Sequence, residues 1–136
     1  MPDAETLKFS VDGGIEAAST ARYTVTDGLG SDVEQRTIED VLLVISELVT
    51  NAVRHAGAGR DETIDVCVTN RGETILIEVV DREPDSAPKM RDDDAPGGMG
   101  LVVVSGLCED WGTRQQKGHK TVWAEYSLAG AEQAMP

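Results

Sequence analysis

Three short stretches hold the residues with the greatest capacity for chemistry. Glu47 and Asn51 stand four apart in a segment whose apolar residues recur at helical spacing. Four residues advance a helix by about 6 Å, so the carboxylate and the amide lie one turn apart on one side. Together they suit a hard cation or a polarised hydroxyl. The plainer alternative is a hydrogen-bonded i,i+4 pair on a half-exposed helix. Asp81 ends the apolar run Ile75-Leu76-Ile77-Glu78-Val79-Val80. It either accepts a hydrogen from an exocyclic amine at a pocket mouth or begins the turn Asp81-Arg82-Glu83-Pro84. Gly97-Gly98-Met99-Gly100-Leu101 precedes an apolar helix. Glycines admit a close backbone approach and a helix N-terminus offers unpaired N–H groups to phosphate, although glycine also serves as a plain hinge.

Two other phosphate-binding motifs are excluded by these residues. A dinucleotide fingerprint needs a third glycine at Val103 and a strand directly before Gly98; a Walker loop needs Lys-Ser/Thr where Leu101-Val102 stands. His55 and His119 read as capping or surface groups, and Trp111 and Trp123 as packing residues on a final hairpin. Asp92-Asp93-Asp94 reads as a solvated loop. Cys67 and Cys108 form no CxxC motif, and with two histidines the chain has no zinc constellation; both thiols are expected to be reduced core residues.

The elements that must position these groups follow from local pattern. Leu7–Val11 alternates as a strand, Gly13-Gly14 breaks it, and an Ala-rich helix runs from Ile15 to about Leu29. Ser31 or Asp32 caps a long helix from about Val33 to Ala56, which ends at Gly57-Ala58-Gly59. On it Ile38, Val41, Leu42, Ile45, Val49 and Ala52 form an apolar stripe, with Glu47 and Asn51 opposite, flanked by Leu43 and Val44. Strands at Thr63–Thr69 and Thr74–Val80 join through Asn70-Arg71-Gly72-Glu73. Asp81–Gly98 holds three of the five prolines and six acidic residues, which predicts a mobile lid over a ligand. A helix over Met99–Leu107 and strands at Glu109–Arg114 and Lys120–Leu128 complete a single domain, residues 1–136. Its expected core is about 7–128, with a frayed tail.

Composition limits the function. The chain of 136 residues carries 12 Lys+Arg against 25 Asp+Glu, a net charge of −13. That balance repels nucleic acid and anionic lipid and permits a basic protein partner. No apolar run approaches the roughly 20 residues of a membrane span, and Met1-Pro2-Asp3-Ala4-Glu5 lacks the basic start of a secretory signal, so a cytoplasmic location is expected.

Taken in order, Glu47-Leu48-Val49-Thr50-Asn51-Ala52-Val53-Arg54-His55-Ala56, Asp81, Gly98-Met99-Gly100-Leu101 and Gly118-His119-Lys120-Thr121-Val122-Trp123 resemble the histidine-kinase-like ATPase superfamily. The closest likeness is to its small anti-sigma factor serine-protein kinases. The resemblance spans about residues 7–128. It implies a two-layer α/β sandwich, with helices on one face of a mixed, mostly antiparallel sheet and ATP held between the layers. It further implies that Asn51 binds Mg²⁺ bridging the phosphates and that Glu47 is the catalytic base or water-positioning acid. Asp81 would bond the adenine amino group, Gly98, Met99, Gly100 and Leu101 would line the phosphates, and Thr121 would lie near the adenine. Arg54 or Lys120 would offset the repulsion between ATP and an acidic protein. The implied partners are a sigma factor and a serine-phosphorylated antagonist protein, with a homodimer as the family arrangement. One departure stands out. The superfamily's acid is generally followed by x-Gly-x-Gly, whereas Arg82-Glu83-Pro84 follow Asp81. That keeps open a second reading, an ATP-binding interaction module without effective phosphoryl transfer.

Overall fold

The computed structural model describes residues 5–14, 16–29, 33–56, 63–81, 97–116 and 119–128. In chain order these form β1 (Glu5–Asp12), α1 (Ala17–Leu29), α2 (Gln35–Ala56), β2 (Thr63–Asn70), β3 (Thr74–Asp81), α3 (Gly97–Leu107), β4 (Asp110–Gln116) and β5 (His119–Ser127). The strands make one five-stranded sheet in the order β1-β2-β3-β5-β4. Every described pairing is antiparallel, so the expected mixed sheet carries no parallel pair among the described strands. The acidic, proline-rich segment expected to form a lid, and the expected cap at Ser31 or Asp32, lie outside the described residues. Among the described residues no helix is long and apolar enough to cross a membrane.

Alternation decides which side of the sheet is covered. Ile64, Val66 and Val68 of β2, and Ile75, Ile77 and Val79 of β3, are buried, with half-buried residues between them. Ala124 and Tyr126 extend this row onto β5, since they stand across from Ile77 and Ile75. The β2–β3 hairpin is closed by Gly72 at φ 95°, a backbone angle that strains any side chain, with the Asn70 side chain accepting from its N–H at 2.9 Å.

Helix α2 lies on this apolar face between α1 and α3. Its buried arc comprises Thr37, Val41, Val44, Ile45, Leu48, Val49 and Ala52, while Ile38 and Leu42 are only half-buried. The stripe expected from spacing is therefore turned. Val44, expected on the opposite side beside Glu47, is in the core, because neighbouring helices as well as the sheet cover α2. Burying one such aliphatic side chain stabilises the fold by about 1.5–3 kcal/mol.

A polar contact also crosses between sheet and helices. The Tyr126 hydroxyl donates to Asp40 Oδ2 at 2.6 Å, joining β5 to the N-terminal half of α2. Cys108, just after α3, is buried near the same carboxylate; burial first and Asp40 second push its thiol up to about 11. The second cysteine corrects expectation: Cys67 is half-buried and faces the uncovered side of the sheet, across from Lys8 and Glu78. Both thiols are free.

Burial, then the bond to Asp40, pushes the Tyr126 phenol from 10.0 up to about 12. Its folded value exceeds its unfolded one, so its stabilising contribution is complete below the unfolded value and is lost as pH rises through the folded one. Urea unfolding followed across that alkaline window is expected to show Tyr126→Phe losing part of the wild-type decline, leaving the share due to Cys108. At neutral pH the variant should be less stable by about 1–3 kcal/mol, the cost of a broken bond to a charged group. An unchanged alkaline slope would refute the assignment.

Candidate functional site

The Tyr126–Asp40 bond orients α2 along the sheet. Tyr126 stands across from Ile75, near the start of β3, so the N-terminal half of α2 lies over that end. From Asp40 the helix advances about 16 Å to Asn51. From Ile75 the strand advances about 20 Å to Asp81. Asn51 and Asp81 therefore arrive at the same end of the domain. Helix α3 packs along α2 and finishes at Cys108 beside Asp40, so it runs antiparallel to α2. Its eleven residues span about 16 Å, which brings its first turn, Gly97–Gly100, level with Asn51.

Rotation about α2 completes the arrangement. Glu47 and Asn51 fall on the flank that also carries Asp40, the flank turned toward α3, and both are half-buried. They are not opposite the core, as their spacing suggested, but beside it, in the groove between α2 and α3. Leu43, one turn before Glu47, is 44 % exposed, and Val102 on α3 is 69 % exposed. The C-terminal end of α3 is held by the Trp111 indole N–H, which donates to Ser105 Oγ at 2.8 Å. Trp111 thus has a specific polar partner, beyond the packing role its position in the sequence suggested.

Asp81 is 7 % exposed and lies on the helix-facing side, in the row of Ile77 and Val79. A buried carboxylate at the edge of an apolar core is costly unless something bonds it, and Asp81 is not without a partner within the chain. The residue directly across from it on β5 is Lys120. Thr121, expected near the adenine, pairs with Val80 and Arg114 and faces the other side of the sheet from Asp81. Side chains alternate along a strand, so a shift of one residue moves a group through the sheet. Sequence reading could not separate Lys120 from Thr121, because only the pairing register says which one shares a face with Asp81.

Thr121 belongs to a groove of about 530 Å³ on the uncovered face, lined with Lys8, Ser10, Asp65, Glu78 and Arg114. Four of these polar groups pair with one another. Ser10 donates to Asp65 Oδ1 at 2.7 Å, and Arg114 meets Glu78 at 2.9 Å. On the same face the indole of Trp123 lies against Gly112, where a Cβ would come within 2.8 Å of the ring.

The site gathers an amide oxygen, a carboxylate, a buried acceptor and a glycine-bearing helix start at one end of a helix-on-sheet layer. Magnesium commonly binds through one or two protein oxygens, with phosphates and water filling the remaining positions. Asn51 and Glu47 supply hard oxygen donors of that kind. Among the described residues no cluster of three His, Cys, Asp or Glu forms a self-sufficient metal cage, and a nucleotide-borne ion requires none.

Similarity to known proteins bears on the family and the fold. Residues 15–126 match the histidine kinase-like ATPase domain. The chain is 26 % identical over 147 aligned positions to the serine-protein kinase RsbW of Oceanobacillus iheyensis, covering 93 % of this chain and 89 % of that one. RsbW of Listeria monocytogenes is 28 % identical over 105 positions, or 65 % of this chain and 66 % of the relative. The structure of the RsbU and RsbW domains of Rv1364c from Mycobacterium tuberculosis superimposes with a TM-score of 0.68 at 24 % identity. That match covers 90 % of this chain and 32 % of the other, and it supports the fold.

The register predicts a negative result. Thr121→Val, which removes the hydroxyl from the uncovered face, is expected to leave nucleotide affinity in titration calorimetry within about twofold of wild type. A tenfold loss would mean that Thr121 reaches the helix-facing side.

Proposed function

Since the chain belongs to the histidine kinase-like ATPase family, we propose that it binds Mg-ATP and phosphorylates a serine or threonine of a small antagonist protein, and that it also sequesters a sigma factor. The convergence of Glu47, Asn51, Asp81 and the first turn of α3 at one end of the domain supports this reading most directly. The RsbW relatives bear the name serine-protein kinase, which supports a protein hydroxyl as the acceptor.

In this reading Asp81 accepts a hydrogen bond from the adenine amino group, which sets the base against the sheet. Asn51 offers its amide oxygen to Mg²⁺, and the N–H groups opening α3 turn toward the phosphates, where the helix dipole favours negative charge. The bound ion neutralises charge on the phosphates. That matters for a chain of net charge −13, which repels free nucleotide. Glu47, one turn from Asn51, orients the acceptor hydroxyl and takes its proton. The hydroxyl oxygen forms a bond to the γ-phosphorus while the bond from that phosphorus to the β–γ bridging oxygen breaks, and ADP leaves. Such transfer depends mainly on positioning and charge stabilisation, which a small rigid layer can provide.

Two variants separate binding from chemistry. Asn51→Ala is expected to weaken Mg-ATP binding by about tenfold or more, the worth of one bond to a charged group, with the far-UV spectrum unchanged. Equal affinities would remove Asn51 from the site. Glu47→Gln retains shape and hydrogen bonding, so it should bind Mg-ATP normally yet transfer phosphate at least about tenfold more slowly, the floor of the range for a lost general base. Single-turnover transfer at saturating ATP measures this. Should wild type bind antagonist and ATP but transfer nothing, the chain is a nucleotide-dependent clamp, the reading that Arg82-Glu83-Pro84 favours.

A further inference from the structure

Lys120 stands directly across from Asp81 in the β3–β5 ladder. The neighbouring pairs of that row, Val79 with Val122 and Ile77 with Ala124, face the helices, so Lys120 rises from the helix-facing side as Asp81 does. Residues directly opposite in an antiparallel pair have Cβ atoms about 4.5–5.5 Å apart. Lys120 is half-buried, which fits an aliphatic stem laid on the sheet with the ammonium at the rim. A carboxylate can only accept and an ammonium can only donate. The end of β3 therefore presents an acceptor and a donor side by side, with their spacing held by the sheet and their senses fixed by charge.

We propose that Asp81 and Lys120 together read the hydrogen-bonding edge of adenine, Asp81 accepting from the exocyclic amine and Lys120 donating to ring nitrogen N1. The proposal rests on the nucleotide-binding reading above. Adenine carries a donor at the amine beside an acceptor at N1, which complements the pair. Guanine and hypoxanthine carry an acceptor oxygen beside a ring N–H, the reverse order, and neither Asp81 nor Lys120 can exchange roles. Turning the base over would restore the order only by moving the sugar and phosphates away from Asn51 and α3. A threonine hydroxyl in the place of Lys120 would both donate and accept, and would enforce no such sign. A buried carboxylate left facing the wrong edge is penalised heavily, so this arrangement selects as well as binds.

Titration calorimetry on the full chain with Mg²⁺ tests this with two ligands, ATP and 1-deaza-ATP, in which N1 is replaced by C–H. Wild type is expected to bind 1-deaza-ATP about tenfold or more weakly than ATP, the worth of a bond from a charged donor. Lys120→Met, which keeps the stem and removes the charge, should bind ATP as weakly as wild type binds 1-deaza-ATP and should no longer distinguish the two. Equal binding of both ligands by wild type overturns the proposal without recourse to any variant. Persistent ATP preference in Lys120→Met overturns it as well. Equal weakening of both ligands in the variant would assign Lys120 to the phosphates, and tighter ATP binding would make it a competitor for Asp81; either result refutes the proposal while the nucleotide reading stands. Absence of ATP binding in wild type removes both.

Discussion

Helix α2 can rest on the sheet in only one rotational setting. Val41, Val44, Ile45, Leu48 and Val49 must all leave water, and they can do so together only if the arc they span is enclosed by the sheet below and helices on both sides. Rotating the helix by one residue, about 100°, would expose several of these side chains, each worth about 1.5–3 kcal/mol. That setting leaves Glu47 and Asn51 at the margin of the buried arc, facing α3. The chemistry of the site is thus a consequence of core packing: the polar residues are aimed by the apolar ones.

Direction along the sheet is a separate matter, and a polar contact reports it. The Tyr126–Asp40 bond joins the early part of α2 to the late part of β5, and Cys108 brings the end of α3 to the same place. These groups lie at the far end of the domain from Asn51, Asp81 and the first turn of α3. One end is therefore closed by a buried hydrogen bond and a packed thiol, while the other gathers helix ends and strand ends whose backbone groups have no partners within their own elements. Ligand sites favour such places, because rigid elements supply the geometry and their termini supply free hydrogen-bonding capacity.

The two sides of the sheet have different characters. The helix-facing side is largely apolar, with the Tyr126 hydroxyl and the Trp111 indole bonded to the helices, until its last row, where Asp81 and Lys120 stand opposite each other. The uncovered side is largely polar, with Ser10 bonded to Asp65 and Arg114 paired with Glu78, and with Trp123 and Cys67 among them. A polar row that satisfies itself can face water without a covering layer, which is how an antiparallel sheet keeps one face open.

Much of this was legible in the residues themselves. Alternation in 63–81 gave the hairpin, helical periodicity gave α2, and the spacing of Glu47 and Asn51 fixed their placement one turn apart, because each of these depends on a local repeat. The ordered set of Glu47, Asn51, Asp81 and the Gly98 cluster carries the resemblance to the family without any tertiary contact. Three features were decided by tertiary structure. The true buried arc of α2 depends on flanking helices that its own sequence does not describe, so spacing alone puts Val44 outside the core. The exposure of Cys67 depended on which side of β2 the helices cover. The choice of Lys120 over Thr121 as the neighbour of Asp81 depended on pairing register, a relation between strands about 40 residues apart in the chain. Period two makes adjacent residues equivalent in pattern and opposite in space, and only the partner strand breaks that equivalence.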